Sequence, residues 1–276
     1  MEFARPTQID EALSLLTDGP WDVLAGGTDY FPSLKDEQPM VPILDISAIE
    51  SLRGIARTDD GWRIGALATW TDVIRADIPP AFRALTQAAH EVGSVQIQNR
   101  ATVAGNLCNA SPAADGVPPL LVMNARVELS ASSGRRIVPL AEFIKGNRQT
   151  ALSSDELMTA ILIPGQGALG QSSFLKLGAR KYLVISIAMV AVRLVVEAAH
   201  VVEAAVSVGA CSATARRLPS LEKLLIGSAV TQVANVVTPE QLAILSPITD
   251  VRASDTYRQV AAIELVRRAL REAAAQ

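Results

Sequence analysis

The first 50 residues alternate short apolar runs with one amphipathic stretch. Apolar residues recur at helical spacing over residues 9–16, with Thr7 placed as the helix N-cap. Apolar runs at 21–25 and 41–46 predict two strands. The first strand runs directly into Gly26-Gly27-Thr28-Asp29, a turn that leads to a short helix. This order predicts a small βαβ-type unit.

The pattern changes near residue 54, where a new subdomain is expected to begin. Asp59-Asp60-Gly61 between two apolar runs is typical of a β-hairpin. Thr71 is expected to cap the next helix, which should end at Ala76. Further helices are predicted at 81–92 and 118–123, and strands at 127–130, 136–140 and 155–164.

A glycine-rich segment at 165–170 is expected to separate the last third of the chain. Strands are predicted at 172–178 and from residue 185 onward. No glycine marks a turn in the second of these regions, so a helix over 190–206 stays an alternative. Helices are predicted from Pro219 and at the C-terminus, and the fold class is α+β.

Composition narrows the class of protein. The chain has 276 residues, a net charge of -3 and 4% aromatic residues, so neither nucleic acid nor an anionic membrane is an expected partner. Charged residues interrupt the apolar region 185–210, which argues against a membrane span. Cys108 and Cys211 match no metal-binding spacing, and a cytoplasmic location is expected. His90 and His200 lie in no convincing acid–base setting and are interpreted as structural or surface residues.

Two stretches could bind a phosphorylated ligand. Residues 102–115 combine small side chains, hydroxyls and Asp115, and residues 26–29 place glycines between a strand and a helix. Such segments allow close backbone approach and offer N–H donors to phosphate. Neither matches the Rossmann or the Walker pattern. The alternative is that the first is a surface loop and the second only a turn.

Taken together and in order, these stretches resemble a known family. Ala25-Gly26-Gly27-Thr28-Asp29, Thr102-Val103-Ala104-Gly105-Asn106 and Ala110-Ser111-Pro112-Ala113-Ala114-Asp115 are similar to motifs of the FAD-binding medium subunit of molybdenum hydroxylases. This is the family of xanthine dehydrogenase and carbon monoxide dehydrogenase. The resemblance covers essentially the whole chain.

The resemblance implies a vanillyl-alcohol-oxidase (PCMH)-type FAD-binding fold and a smaller C-terminal α+β domain. The FAD-binding domain would cover residues 1–167, with subdomains of about 1–54 and 55–167. The C-terminal domain would cover residues 168–276. FAD is the implied cofactor, and no metal ligand and no catalytic residue is expected in this chain.

Site residues follow from the resemblance by position. The FAD pyrophosphate would be held by backbone N–H groups of Val23, Leu24, Ala25, Gly26, Gly27, Thr28, Asp29 and Tyr30. Thr102, Gly105 and Asn106 would complete this clasp, with Asn109 close by and Ala104 where relatives often carry glycine. Asp115 matches the ribose-binding carboxylate. Contacts to the flavin ring are implied for Val92, Met158 and the basic residue Lys176.

The implied function is electron transfer. Electrons would arrive from a small subunit with two [2Fe–2S] clusters, fed by a large molybdopterin subunit, and leave to an external acceptor. The complex would be a heterotrimer or a dimer of heterotrimers. Relatives often carry an acidic residue shortly after the position of Lys181, and residues 182–186 of this chain contain none. The sequence therefore does not identify the electron acceptor. Alternatives are a stand-alone flavin oxidoreductase, with Tyr182 and Ser186 as candidates for acid–base chemistry, and a non-catalytic nucleotide-binding scaffold.

Overall fold

The N-terminal unit is a small parallel sheet covered by one helix. The computed structural model describes residues 2–35, 37–181 and 183–276. Its first elements are β1 (Phe3–Ala4), α1 (Ile9–Asp18), β2 (Asp22–Leu24), α2 (Tyr30–Leu34) and β3 (Ile43–Asp45). The strands pair in parallel in the order β1-β3-β2, which confirms the βαβ-type unit. The N-cap of α1 is Gln8 and makes no side-chain bond, so the prediction of Thr7 was wrong.

The central part of the chain adds an antiparallel sheet and several short helices. The sheet has five strands in the order β4-β5-β10-β6-β7, and β8 and β9 form a separate hairpin. The hairpin predicted at Asp59-Asp60-Gly61 is confirmed by the pairing of β4 with β5. The elements are β4 (Ile55–Thr58), β5 (Gly61–Gly65), α3 (Trp70–Arg75), α4 (Arg83–Glu91), α5 (Val95–Gln98), α6 (Val103–Asn109), α7 (Val117–Val122), β6 (Arg126–Ala131), β7 (Gly134–Pro139), α8 (Leu140–Phe143), β8 (Ile144–Gly146), β9 (Gln149–Thr150) and β10 (Leu157–Pro164).

One local prediction and one alternative in this part were wrong. Thr69, and not Thr71, caps α3: its hydroxyl accepts from Asp72 N–H while the Asp72 carboxylate accepts from Thr69 N–H. This reciprocal capping box needs an acceptor side chain three positions after the cap, which Asp72 provides for Thr69. The first half of the stretch 102–115 is also a helix and not a loop, because Thr102 caps α6 through Gly105 N–H.

The C-terminal part is a four-stranded antiparallel sheet with its own two helices on one face. Its strands run in the order β11-β12-β13-β14. The helical alternative for residues 190–206 was wrong, because β12 and β13 form a long hairpin. Ala198 and Ala199 both take positive φ angles in its turn. The elements are β11 (Gln171–Leu177), β12 (Ala188–Glu197), β13 (His200–Gly209), β14 (Arg216–Arg217), α9 (Pro219–Leu225) and α10 (Asp255–Ala274).

The C-terminal sheet has two buried faces. One face packs on α9 and α10 through residues such as Val190, Val192 and Leu194. The other packs on α4 and α7 through Met189 and Ala191. Burial on both faces explains why β12 is apolar at every position of residues 188–192 instead of alternating. Within the described residues, no helix is long and apolar enough to cross a membrane.

Polar contacts reinforce the junction between the central part and the C-terminal sheet. The guanidinium of Arg193, which is fully buried, donates to the carbonyl oxygens of Val122 at 2.8 Å and Leu169 at 3.1 Å. The glycine-rich segment 165–170 forms a short 3₁₀ turn against this junction. A methyl group on Gly167 would lie 2.0 Å from Met123 O, so this turn is tightly packed.

Candidate functional site

A large cavity lies where the N-terminal unit meets α6. It has a volume of about 500 Å³, within the range of small-molecule sites. Every residue predicted to contact the cofactor lines it, with the exceptions of Asp115 and Lys176. The predicted residues in the wall are Val23, Leu24, Ala25, Gly26, Gly27, Thr28, Asp29, Tyr30, Val92, Thr102, Ala104, Gly105, Asn106, Asn109 and Met158.

The loop after β2 forms one side of this cavity. Gly27 has a φ of +73°, which favours glycine, and a methyl group on Gly26 would lie 2.1 Å from Arg100 O. Gly26 is therefore needed for the approach of two backbone segments. At the end of the loop, the Tyr30 hydroxyl donates to Asp22 Oδ2 at 2.8 Å. Burial and this contact raise the pKa of Tyr30 to about 12, so the phenol stays protonated.

The helix α6 and the residues before it form the opposite side. Thr102 Oγ1 accepts from Gly105 N–H at 2.9 Å and so fixes the first turn. Asn106 Oδ1 accepts from Gly116 N–H at 3.3 Å, which ties α6 to the start of α7. These bonds hold small side chains and a short helix against the cavity, where a ligand can approach the backbone closely.

Asp115 and Lys176 do not line the cavity and bind each other. Lys176 Nζ donates to Asp115 Oδ2 at 2.6 Å, and Ser186 Oγ donates to Asp115 Oδ1 at 2.7 Å. Burial raises the pKa of Asp115 above its usual value, and the neighbouring Lys176 and Ser186 counteract the rise. Both carboxylate oxygens thus have protein partners here, and the ribose and flavin roles of these two residues remain predictions.

The cavity wall offers little acid–base chemistry. Cys108 lines the cavity, and burial raises the pKa of its thiol to about 12. Like Tyr30, it is uncharged at neutral pH. Among the described residues no group of His, Cys, Asp or Glu is arranged to hold a metal ion. Tyr182, a candidate for acid–base chemistry, lies outside the described residues, and Ser186 is engaged by Asp115.

Sequence reasoning missed several residues of the wall. Two of them had a usable signal, since Cys108 lies inside the recognised stretch and Leu157 precedes Met158. The others come from segments without a motif, and their position depends on how distant elements pack. The wall also contains Ser33, Ile46, Ala66, Trp70, Cys108, Ile97, Ala101, Arg148, Leu152 and Leu157.

The backbone of the loop after β2 fits a polar cofactor in this cavity, because Gly26 lies too close to Arg100 O to carry a side chain and Gly27 has a left-handed conformation. The loops on both sides consist of small residues that leave backbone N–H groups accessible to phosphate. The donor set therefore suits FAD.

Comparison with known proteins defines the class. A family model described as the FAD binding domain in molybdopterin dehydrogenase matches residues 1–166. A second one, described as the CO dehydrogenase flavoprotein C-terminal domain, matches residues 173–273. The chain therefore belongs to the FAD-binding flavoprotein family of the molybdopterin dehydrogenases. The predicted family, its FAD cofactor and its place among the subunits of oxidoreductases are confirmed.

Individual relatives agree with this family. The nicotinate dehydrogenase FAD-subunit of Eubacterium barkeri is 38% identical over 67% of this chain, and the match spans 66% of that relative, just under two thirds. The carbon monoxide dehydrogenase medium chain of Hydrogenophaga pseudoflava is 30% identical over 99% of this chain and 96% of its own.

A solved structure extends the agreement to the fold. A structure of carbon monoxide dehydrogenase from Hydrogenophaga pseudoflava superimposes with a TM-score of 0.87 at 29% identity, covering 100% of this chain and 97% of the other. The predicted fold class is thereby confirmed. The two relatives are named as an FAD-subunit and as a medium chain, which agrees with the prediction of partner subunits.

Proposed function

We propose that this chain carries FAD and transfers electrons within a molybdenum hydroxylase complex. The observation that supports it most is the cavity of about 500 Å³, whose wall contains nearly all the residues expected to hold the cofactor. FAD would supply redox chemistry that connects iron–sulfur carriers to an external acceptor. The chain's own residues bind and orient the cofactor and limit the access of water.

The chemistry of the wall favours electron transfer over substrate conversion in this chain. Four ionisable side chains of the described residues line the cavity: Asp29, Tyr30, Cys108 and Arg148. The pKa values of Tyr30 and Cys108 are both raised to about 12. A general acid or base works best with a pKa near the operating pH, and neither residue meets that condition.

The proposal includes partner subunits and a division of the chain into two domains. Electrons would come from a small subunit with two [2Fe–2S] clusters, associated with a large molybdopterin subunit, in a heterotrimer or a dimer of heterotrimers in the cytoplasm. The chain would divide into an FAD-binding domain at 1–167 and a C-terminal domain at 168–276. The separate sheets on either side of residue 168 support this division.

The test uses the chain alone and then with its partner. We expect the purified chain to bind FAD, which visible absorption would detect. Adding the iron–sulfur subunit with reduced clusters should bleach the flavin absorption, whereas the same subunit with oxidised clusters should not. Failure to bind FAD would contradict the proposal. Bleaching of the flavin in the isolated chain by an organic substrate would instead support a stand-alone oxidoreductase.

A further inference from the structure

Arg148 connects the two sides of the cavity. It lies in the turn between β8 and β9, where its φ is +54° and its backbone N–H donates to Ala110 O at 3.0 Å. Its Nη1 donates to Asn109 Oδ1 at 2.9 Å, at the end of α6, and to Asp29 Oδ2 at 3.3 Å, in the loop after β2. A single guanidinium therefore spans the two segments between which the cofactor should bind.

The charges around the cavity indicate a role for Arg148 in binding an anion. Of the described residues that line the cavity, Asp29 and Arg148 are the ones with ordinarily charged side chains. A diphosphate is anionic, so the carboxylate of Asp29 by itself would repel it. Arg148 offsets that carboxylate and is the cation of the described wall that can pair with phosphate oxygens.

The present contacts of Arg148 are easy to exchange. The side chains of Arg148 and Asp29 are 60% and 53% exposed, and ion pairs of such exposure contribute little to stability. A guanidinium binds phosphate through two parallel hydrogen bonds, which are stronger than a single exposed contact to carboxylate. Replacement of Asp29 by a phosphate oxygen is therefore favourable.

Resting on the proposed function, we propose that Arg148 is the cation that binds the diphosphate of FAD and closes the two loops over it. Its left-handed backbone conformation and its bond to Ala110 hold the base of the side chain at the mouth of the cavity. Asn109 positions the guanidinium, and Asp29 is its partner when no phosphate is present.

The experiment measures FAD dissociation constants by flavin fluorescence at low and high ionic strength. Arg148→Gln should weaken FAD binding about tenfold at low salt, as expected for a lost charge-assisted bond, and should reduce the dependence on salt. Arg148→Lys should recover part of the affinity because it keeps the charge. Lys145→Gln is the matched control, since Lys145 is an exposed cation on the same hairpin that does not line the cavity, and it should bind FAD normally.

The variant Asp29→Asn distinguishes an electrostatic role of Arg148 from a purely structural role of its contact with Asp29. It removes the competing carboxylate and keeps the backbone N–H assigned to the diphosphate, so FAD binding should be tighter than in the wild type at low salt. Equal weakening by Asp29→Asn and Arg148→Gln would overturn the proposal, as would unchanged affinity in Arg148→Gln. If the wild type itself binds no FAD, the proposed function fails; a fault in this inference alone would leave wild-type binding intact.

Discussion

Asp115 joins the FAD-binding part of the chain to the C-terminal sheet through a buried ion pair. The side chains of Asp115 and Lys176 are 10% and 6% exposed, and their charged atoms lie 2.6 Å apart. We predict that Asp115→Ala destabilises the apoprotein, independently of any role in cofactor binding. The reason is that the ammonium of Lys176 would remain buried without its counter-charge.

The magnitude follows from the burial of the pair. Removal of one partner of a buried ion pair typically costs 3–5 kcal/mol. Apart from Asp115, Lys176 contacts Glu91 O through a long hydrogen bond of 3.4 Å. This bond compensates only weakly for the loss of the carboxylate. We therefore expect a loss of about 3 kcal/mol in the free energy of unfolding. A lost ribose contact would instead lower the free energy of FAD binding by about 1.5–3 kcal/mol and leave the apoprotein unchanged.

Urea unfolding of the apoprotein distinguishes these outcomes. Lys176→Met should cost less than Asp115→Ala, because burial raises the pKa of Asp115 and the unpaired carboxyl can take up a proton. The double variant Asp115→Leu with Lys176→Met should recover most of the loss. Wild-type stability of Asp115→Ala apoprotein, together with weaker FAD binding, would refute this reasoning and favour the ribose role.

Two further predictions concern the packing of Gly26 and the ion pair between Arg136 and Glu156. Gly26→Ala should cost about 1–3 kcal/mol of unfolding free energy, since its methyl group would meet Arg100 O at 2.1 Å; Gly19→Ala, which meets nothing within 4 Å, is the control, and equal stability of the two variants would contradict the packing argument. Hydrogen bonds from Arg136 hold the pKa of Glu156 below its usual value. The stability from this pair is therefore present above the unfolded pKa of about 4.3 and is lost as the pH falls through the folded pKa. Glu156→Gln should cost about 1 kcal/mol at pH 7 and progressively less below pH 4 in urea unfolding; a difference independent of pH would contradict the assignment.

Sequence patterns predicted the secondary-structure elements whose turn residues and apolar runs lie next to each other in the chain. The hairpin at Asp59-Asp60-Gly61 was predicted because turn residues separate two apolar runs, and the pairing of β4 with β5 has that form. The region 190–206 was ambiguous for a physical reason. Both faces of β12 are buried, one against α10 and one against α4 and α7, so no alternation of polar and apolar residues could reveal a strand.

The candidate site shows the same division between local and distant information. The loop at 25–29 and the residues 102–106 were found because small residues and hydroxyls follow each other in the chain, and both line the cavity. Trp70 and Arg148 were missed because neither belongs to a motif. Their places depend on the packing of α3 and on the turn between β8 and β9.

The sequence by itself determined the family, the cofactor and most of the backbone that surrounds it. These properties depend on short segments whose residue types are constrained by close backbone approach. Only the tertiary structure decided what individual charged side chains do. Asp115 and Lys176 are distant in the chain yet bind each other, and Arg148 meets Asp29 across the mouth of the cavity. Electrostatic partners are selected by proximity in space, which sequence order does not specify.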